Sequence, residues 1–247
     1  MTKLFATASR SIGFFGICAF LVYSPSAISQ IAGGADHVDG ELWTSARVNF
    51  ELGERWEIKT DHQFRTKSIV TEFDRVLSEV GVEYNPNDYF NFGVGGRYIG
   101  LNDNRGNVQG FEHHVRVQAE VELVLKYERI DIRQRIRYQN RNEIGISAAE
   151  GDHPAQDYRY KLSLEYDFRN WKLDPEIGAE AFFHQELGEI NGFRRFRLFA
   201  GTEKNLRGPH KVGLMYMYEH QEALWDPKIT HILLVKYSYT LKQKRSD

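Results

Sequence analysis

The chain has 247 residues, a formal net charge of −2, 13% aromatic residues and six prolines. This length allows a single large β domain, and the balanced charge offers no basic surface for nucleic acid. Its one cysteine, Cys18, lies in an N-terminal segment that reads as a cleaved signal peptide, so the exported protein is expected to have neither a disulfide framework nor a cysteine-based metal or redox centre.

Residues 1–29 read as a secretory signal peptide. Lys3 and Arg10 supply the positive start and Ile12 to Tyr23 the apolar run. Ala27-Ile28-Ser29 supplies small residues before a cut at Gln30. The run is too short to span a bilayer comfortably, and no later run of about 20 apolar residues offers a transmembrane helix. Ile17 before Cys18 does not suit a lipid-anchor site. The expected domain is 30–247.

After a Gly-rich leader, Ile31–Gly40, a period of two begins, which is the signature of strands. Leu42–Leu52 sets Leu42, Thr44, Ala46, Val48 and Phe50 against Trp43, Ser45, Arg47 and Asn49. Trp56–Thr66 and Phe73–Tyr84 follow, the second with Val76, Val80 and Val82 against Arg75, Glu79 and Glu83. Asn85-Pro86-Asn87-Asp88 has turn chemistry. Tyr89–Gly100 leads to the longest two-faced stretch, Phe111 to Arg141. There Val115, Val117, Ala119, Val121 and Leu123 alternate with Arg116, Glu120 and Glu122, and Ile130, Ile132 and Ile136 alternate with Arg133, Arg135 and Arg137. A turn near Lys126–Tyr127 would place Glu120 opposite Arg133 and Arg116 opposite Arg137, with both charged rows on one side. Asp157–Phe168, Lys172–His184, Arg194–Lys204, His210–His220 and Ile229–Leu241 continue the pattern to a basic tail, Lys242–Arg245.

Eleven strands are counted directly. They are about twice the usual 5–6 residues of soluble strands, and a strand tilted in a bilayer needs about 9–11. Aromatics gather near strand ends at Trp56, Tyr84, Tyr89, Tyr98, Tyr158, Phe168, Trp171 and Tyr239, as in interfacial girdles. Short turns alternate with longer loops. The expected fold is all-β: a single transmembrane antiparallel up-and-down β-barrel in the outer membrane. Because bacterial barrels are even-numbered, about twelve strands are expected, with Ile31–Gly40 as the twelfth or as a segment threading the lumen. Strand spacing and tilt then give a backbone cylinder roughly 25 Å across. An arginine on the lipid face costs about 2–4 kcal/mol near the midplane. Arg133, Arg135 and Arg137 are therefore expected to face the lumen.

Five short motifs spread over the chain carry a resemblance: Leu42-Trp43-Thr44, Gln63-Phe64-Arg65, Gly93 to Tyr98, the Arg-rich Ile132–Arg141, and Glu180 to Phe183. In these the chain resembles a Gram-negative outer-membrane β-barrel family of unknown function. The resemblance implies fold and location, and brings no activity with it.

The lumen-lining candidates are Arg116, Glu120, Glu122, Arg133, Arg135, Arg137, Glu165, Glu180, Arg195 and Arg197. As a binding track their arginines would grip a small anionic solute, such as an acidic oligosaccharide, bidentately in a narrow channel. As a filler the glutamates would pair with every arginine and close the lumen, leaving a structural or interaction barrel. An outer-membrane acyl hydrolase needs a serine and a histidine together. No Gly-x-Ser-x-Gly occurs, and His184 and Ser147 are the weak candidates, so no catalytic residue and no enzyme activity are expected. His113 and His114 point to opposite faces of a strand, Asn102 to Gly106 lacks the distal glutamate of an EF-type loop, and His153 is read as a polar loop residue. Neither metal nor cofactor is expected. The expected partners are outer-membrane lipid and the barrel-assembly machinery during insertion, with no nucleic acid.

Overall fold

The computed structural model describes residues 37–104, 109–147, 153–169, 173–189, 191–222 and 227–242. The signal segment, leader residues 31–36, Trp171, and tail residues 243–245 lie outside them. The strands are β1 (His37–Leu52), β2 (Trp56–Lys67), β3 (Glu72–Tyr84), β4 (Phe90–Asp103), β5 (Gly110–Tyr127), β6 (Ile130–Glu143), β7 (Ala155–Tyr166), β8 (Asp174–Gln185), β9 (Gly192–Asn205), β10 (His210–Gln221) and β11 (Lys228–Lys242). They run from 12 to 18 residues and close into one barrel.

Consecutive strands pair antiparallel, and β1 meets β11 in parallel, from His37 beside Lys228 to Glu51 beside Lys242. The expected twelfth strand is absent among the described residues, and His37–Gly40 of the leader is the start of β1. Ten hairpin reversals bring β11 back pointing the same way as β1, so the barrel closes on a parallel seam. Parallel pairing is only slightly weaker per residue than antiparallel, and the seam runs nearly the full length of both strands.

The β5–β6 turn is Glu128-Arg129, with Glu128 at φ 52. A positive φ at the first turn residue suits the twist of a two-residue hairpin. This corrects the expected register by four residues. Glu120 lies opposite Arg137 instead of Arg133, and Arg116 lies opposite Arg141. Four is even, so every side chain keeps its face.

The exterior is apolar. Val80, Val94, Val117 and Ile136 are all more than half exposed there. Three tyrosine hydroxyls on this surface meet histidine Nδ1 atoms: Tyr98 with His113 at 2.7 Å, Tyr216 with His231 at 2.6 Å and Tyr237 with His210 at 2.6 Å. The interior is mixed. On the β9–β10–β11–β1 wall Trp43, Phe199, Met217 and Ile232 pack together, flanked by Met215 and Leu234. Gly178 makes this possible from the neighbouring strand β8, where it pairs with Phe199, because a Cβ there would run into the Phe199 ring and Ser163. The strand alternation conceals these residues, since Phe182, Phe199, Met217 and Ile232 occupy the otherwise polar row.

Candidate functional site

Acidic and basic residues alternate across neighbouring strands on the inner face, and the registers bring them into one chain of ion pairs. Arg137 Nε donates to Glu120 Oε2 at 2.5 Å. Arg135 lies 3.8 Å from Glu120 and 3.6 Å from Glu180. Arg159 Nη2 donates to Glu180 Oε1 at 2.7 Å, and Arg197 Nη1 to Glu180 Oε2 at 3.4 Å. Arg197 Nη2 donates to Glu219 Oε2 at 2.5 Å, and Arg195 sits 3.6 Å from Glu219. Glu180 thus serves three arginines while only 5% exposed. This chain joins β5, β6, β7, β8, β9 and β10.

Aromatic faces complete the layer. The Arg159, Arg195 and Arg197 guanidiniums lie 4.6, 4.4 and 5.1 Å from the Phe182 ring centre. Arg65 lies 3.5 Å and Arg197 5.1 Å from the Trp43 ring. A ring quadrupole attracts cations, and the layer holds more of them than of carboxylates: Arg135, Arg137, Arg159, Arg195 and Arg197 against Glu120, Glu180 and Glu219. Neither Arg65 nor Arg116 has a carboxylate within ion-pair distance among the described residues. The expectation that the glutamates could satisfy every arginine is therefore corrected. Arg116 fails because its cross-strand neighbours are Arg97 and Arg141.

Below this layer, towards the short turns, is a chamber of about 510 Å³. Glu120, Glu122, Arg133, Arg135, Arg137 and Glu165 line it. Arg133 is shared at its floor among Glu165 at 3.4 Å, Asp131 at 3.5 Å and Glu122 at 3.7 Å. Ten carboxylates and eight cationic side chains line the chamber in all, so it is not an electropositive track. Glu180, Arg195, Arg197 and Arg116 are outside its lining, in or above the ion-pair layer.

Sequence reasoning missed Glu219, which the alternation of His210–His220 places on the inner row. It left out the Arg97–Glu79 and Arg47–Asp61 pairs, although all four residues fall on the polar rows of their strands. It also missed His62 Nδ1, 3.0 Å from Ser78 Oγ on the outer face. These two are 16 residues apart and meet only through the β2–β3 register. Both residues lie inside the β1–β4 ladder, where backbone amides pair between strands. His184 is buried between Asp157 at 2.9 Å and Glu186 at 3.2 Å. His113 faces out and His114 faces in beside Glu112. Among the described residues no group of three or more His, Cys, Asp or Glu is placed to hold a metal.

Among known proteins, a family described as "Protein of unknown function (DUF2490)" matches residues 40–225, and the chain belongs to that family. No curated protein matches the chain.

Proposed function

We propose that this member of the DUF2490 family is an outer-membrane β-barrel with a closed lumen, acting as a structural barrel and not as an open pore or an enzyme. The observation that carries this reading is the layer centred on Glu180. Its charged members Arg137, Glu180, Arg197 and Glu219 are at most 9% exposed, as are Trp43, Phe182 and Phe199. Side chains so enclosed across the barrel support a lumen closed at this level. The apolar exterior supports the bilayer setting, where every backbone group is satisfied by closure. Lipid and the assembly machinery are its partners in this reading.

A second reading, a narrow channel for small anionic solutes, draws on the cationic excess of the layer. Planar-bilayer recording separates the two. The purified wild-type barrel should give no stepwise current. A Trp43→Ala, Phe182→Ala variant, with the plug cut back, should conduct. Anion-selective steps from the wild type would overturn the closed reading in favour of the channel.

A further inference from the structure

Three arginines stand side by side on the inner wall: Arg97 on β4, Arg116 on β5 and Arg141 on β6, in direct register. Like charges directly opposite each other destabilise a sheet. Arg97 is neutralised by Glu79. Among the described residues Arg116 has no ion pair, and its Nε and Nη2 are buried without any hydrogen-bond partner. The carboxylate that attracts it most, Glu79, is already engaged by Arg97 and by Gln118 Nε2 at 3.0 Å. The next inner residues on its own strand are no help. His114 turns to Glu112, and Gln118 is bonded to Glu79 and Gln139.

We propose that Arg116, flanked by Arg97 and Arg141, is a binding site for a small oxyanion of the phosphate or carboxylate class inside the upper half of the barrel. A guanidinium presents a planar fork of N–H donors that matches such an anion bidentately. Here the Nε and Nη2 donors are both unused. The anion would also neutralise the repulsion along the Arg97–Arg116–Arg141 row. Buried charges are paired or they are costly, and no side chain among the described residues pairs this one. The inner position excludes a lipid headgroup as the source, because the outer neighbours Val115 and Val117 are the residues facing outward. The ligand is therefore a free solute. The site does not depend on the bilayer reading, since it concerns only the inside of the barrel.

The test uses the full folded barrel in lipid-free detergent, dialysed free of phosphate and titrated with inorganic phosphate while sodium chloride holds ionic strength constant. Above half-saturation the wild-type Tm should rise by about 4 °C for each tenfold increase in phosphate. Equilibrium dialysis should find one phosphate per barrel. Arg116→Met should weaken binding at least tenfold, and Lys204→Met, on the exposed end of β9, should not. In phosphate-free buffer Arg116→Met should melt no lower than the wild type, because it removes an uncompensated charge. A purely structural arginine predicts the opposite. The proposal fails if the wild type binds no phosphate, if Arg116→Met responds as the wild type does, or if that variant melts lower or does not fold.

Discussion

Glu180 concentrates the energetics of the interior in one side chain. Three guanidiniums converge on its carboxylate while it is nearly inaccessible to water. Removing one partner of a buried ion pair leaves the others desolvated and uncompensated, at a cost of about 3–5 kcal/mol. Glu180→Gln should therefore lower unfolding stability by at least about 3 kcal/mol, read by guanidinium titration of the folded barrel. The Lys242–Glu51 pair makes the contrast. Lys242 is 77% exposed on its side chain, and Lys242→Met should fall within the experimental error of wild type, because exposed pairs contribute little. Equal losses in the two variants would show that the Glu180 cluster is solvated and not a closed layer. Arg159→Met in the Glu180→Gln background should cost less than it does alone, since residues sharing a network are not additive.

Strands were legible wherever apolar and polar residues alternate, because a pleated strand sends successive side chains to opposite faces. The β1, β6 and β11 faces follow directly from that rule. Two things were not legible. The β5–β6 turn carries no Asn-Gly or Asp-Gly cue, so nothing local distinguishes Glu128-Arg129 from Lys126-Tyr127, and the ion-pair partners moved by two turns of the pleat. Within the site, the inward direction of Arg135 and Glu180 follows from parity, but their meeting across β7 depends on barrel curvature, which no strand encodes alone. The strand count depends likewise on closure. A parallel β1–β11 seam predicts that Thr44 and Val235 are direct neighbours, with Cα atoms about 4.8 Å apart, inside the range for a disulfide. With Cys18→Ser removing the only native thiol, Thr44→Cys and Val235→Cys together should cross-link under mild oxidation and shift mobility on a denaturing gel. The two single-cysteine chains should not shift. No cross-link in the folded double variant would remove the seam and reopen the case for a twelfth strand between them.

For the whole molecule the decisive quantity is the apolar exterior. Leu, Val, Ile and aromatic side chains from every strand are exposed around the barrel, and contiguous apolar patches beyond a few hundred Å² are rare on soluble monomers. The tyrosine–histidine pairs interrupt this surface with polar groups, and the hydrogen bond between each hydroxyl and an imidazole Nδ1 lowers the cost of setting them against an apolar phase. If the band lies in lipid, a charge at its middle should be far costlier than the same charge on a water-facing surface. Val117 tests this. It is central on β5 and 54% exposed, with no interior contact to lose. Val117→Arg should destabilise the vesicle-inserted barrel by about 2–4 kcal/mol, measured by reversible guanidinium unfolding in phosphatidylcholine vesicles. On a solvated surface the same change stays within about 0.5 kcal/mol. The same substitution in micelles should cost less, because detergent and water deform around the guanidinium more easily than a bilayer does. A cost below about 0.5 kcal/mol in vesicles would mean that the exterior does not face lipid, and the apolar band would then need a protein partner to cover it.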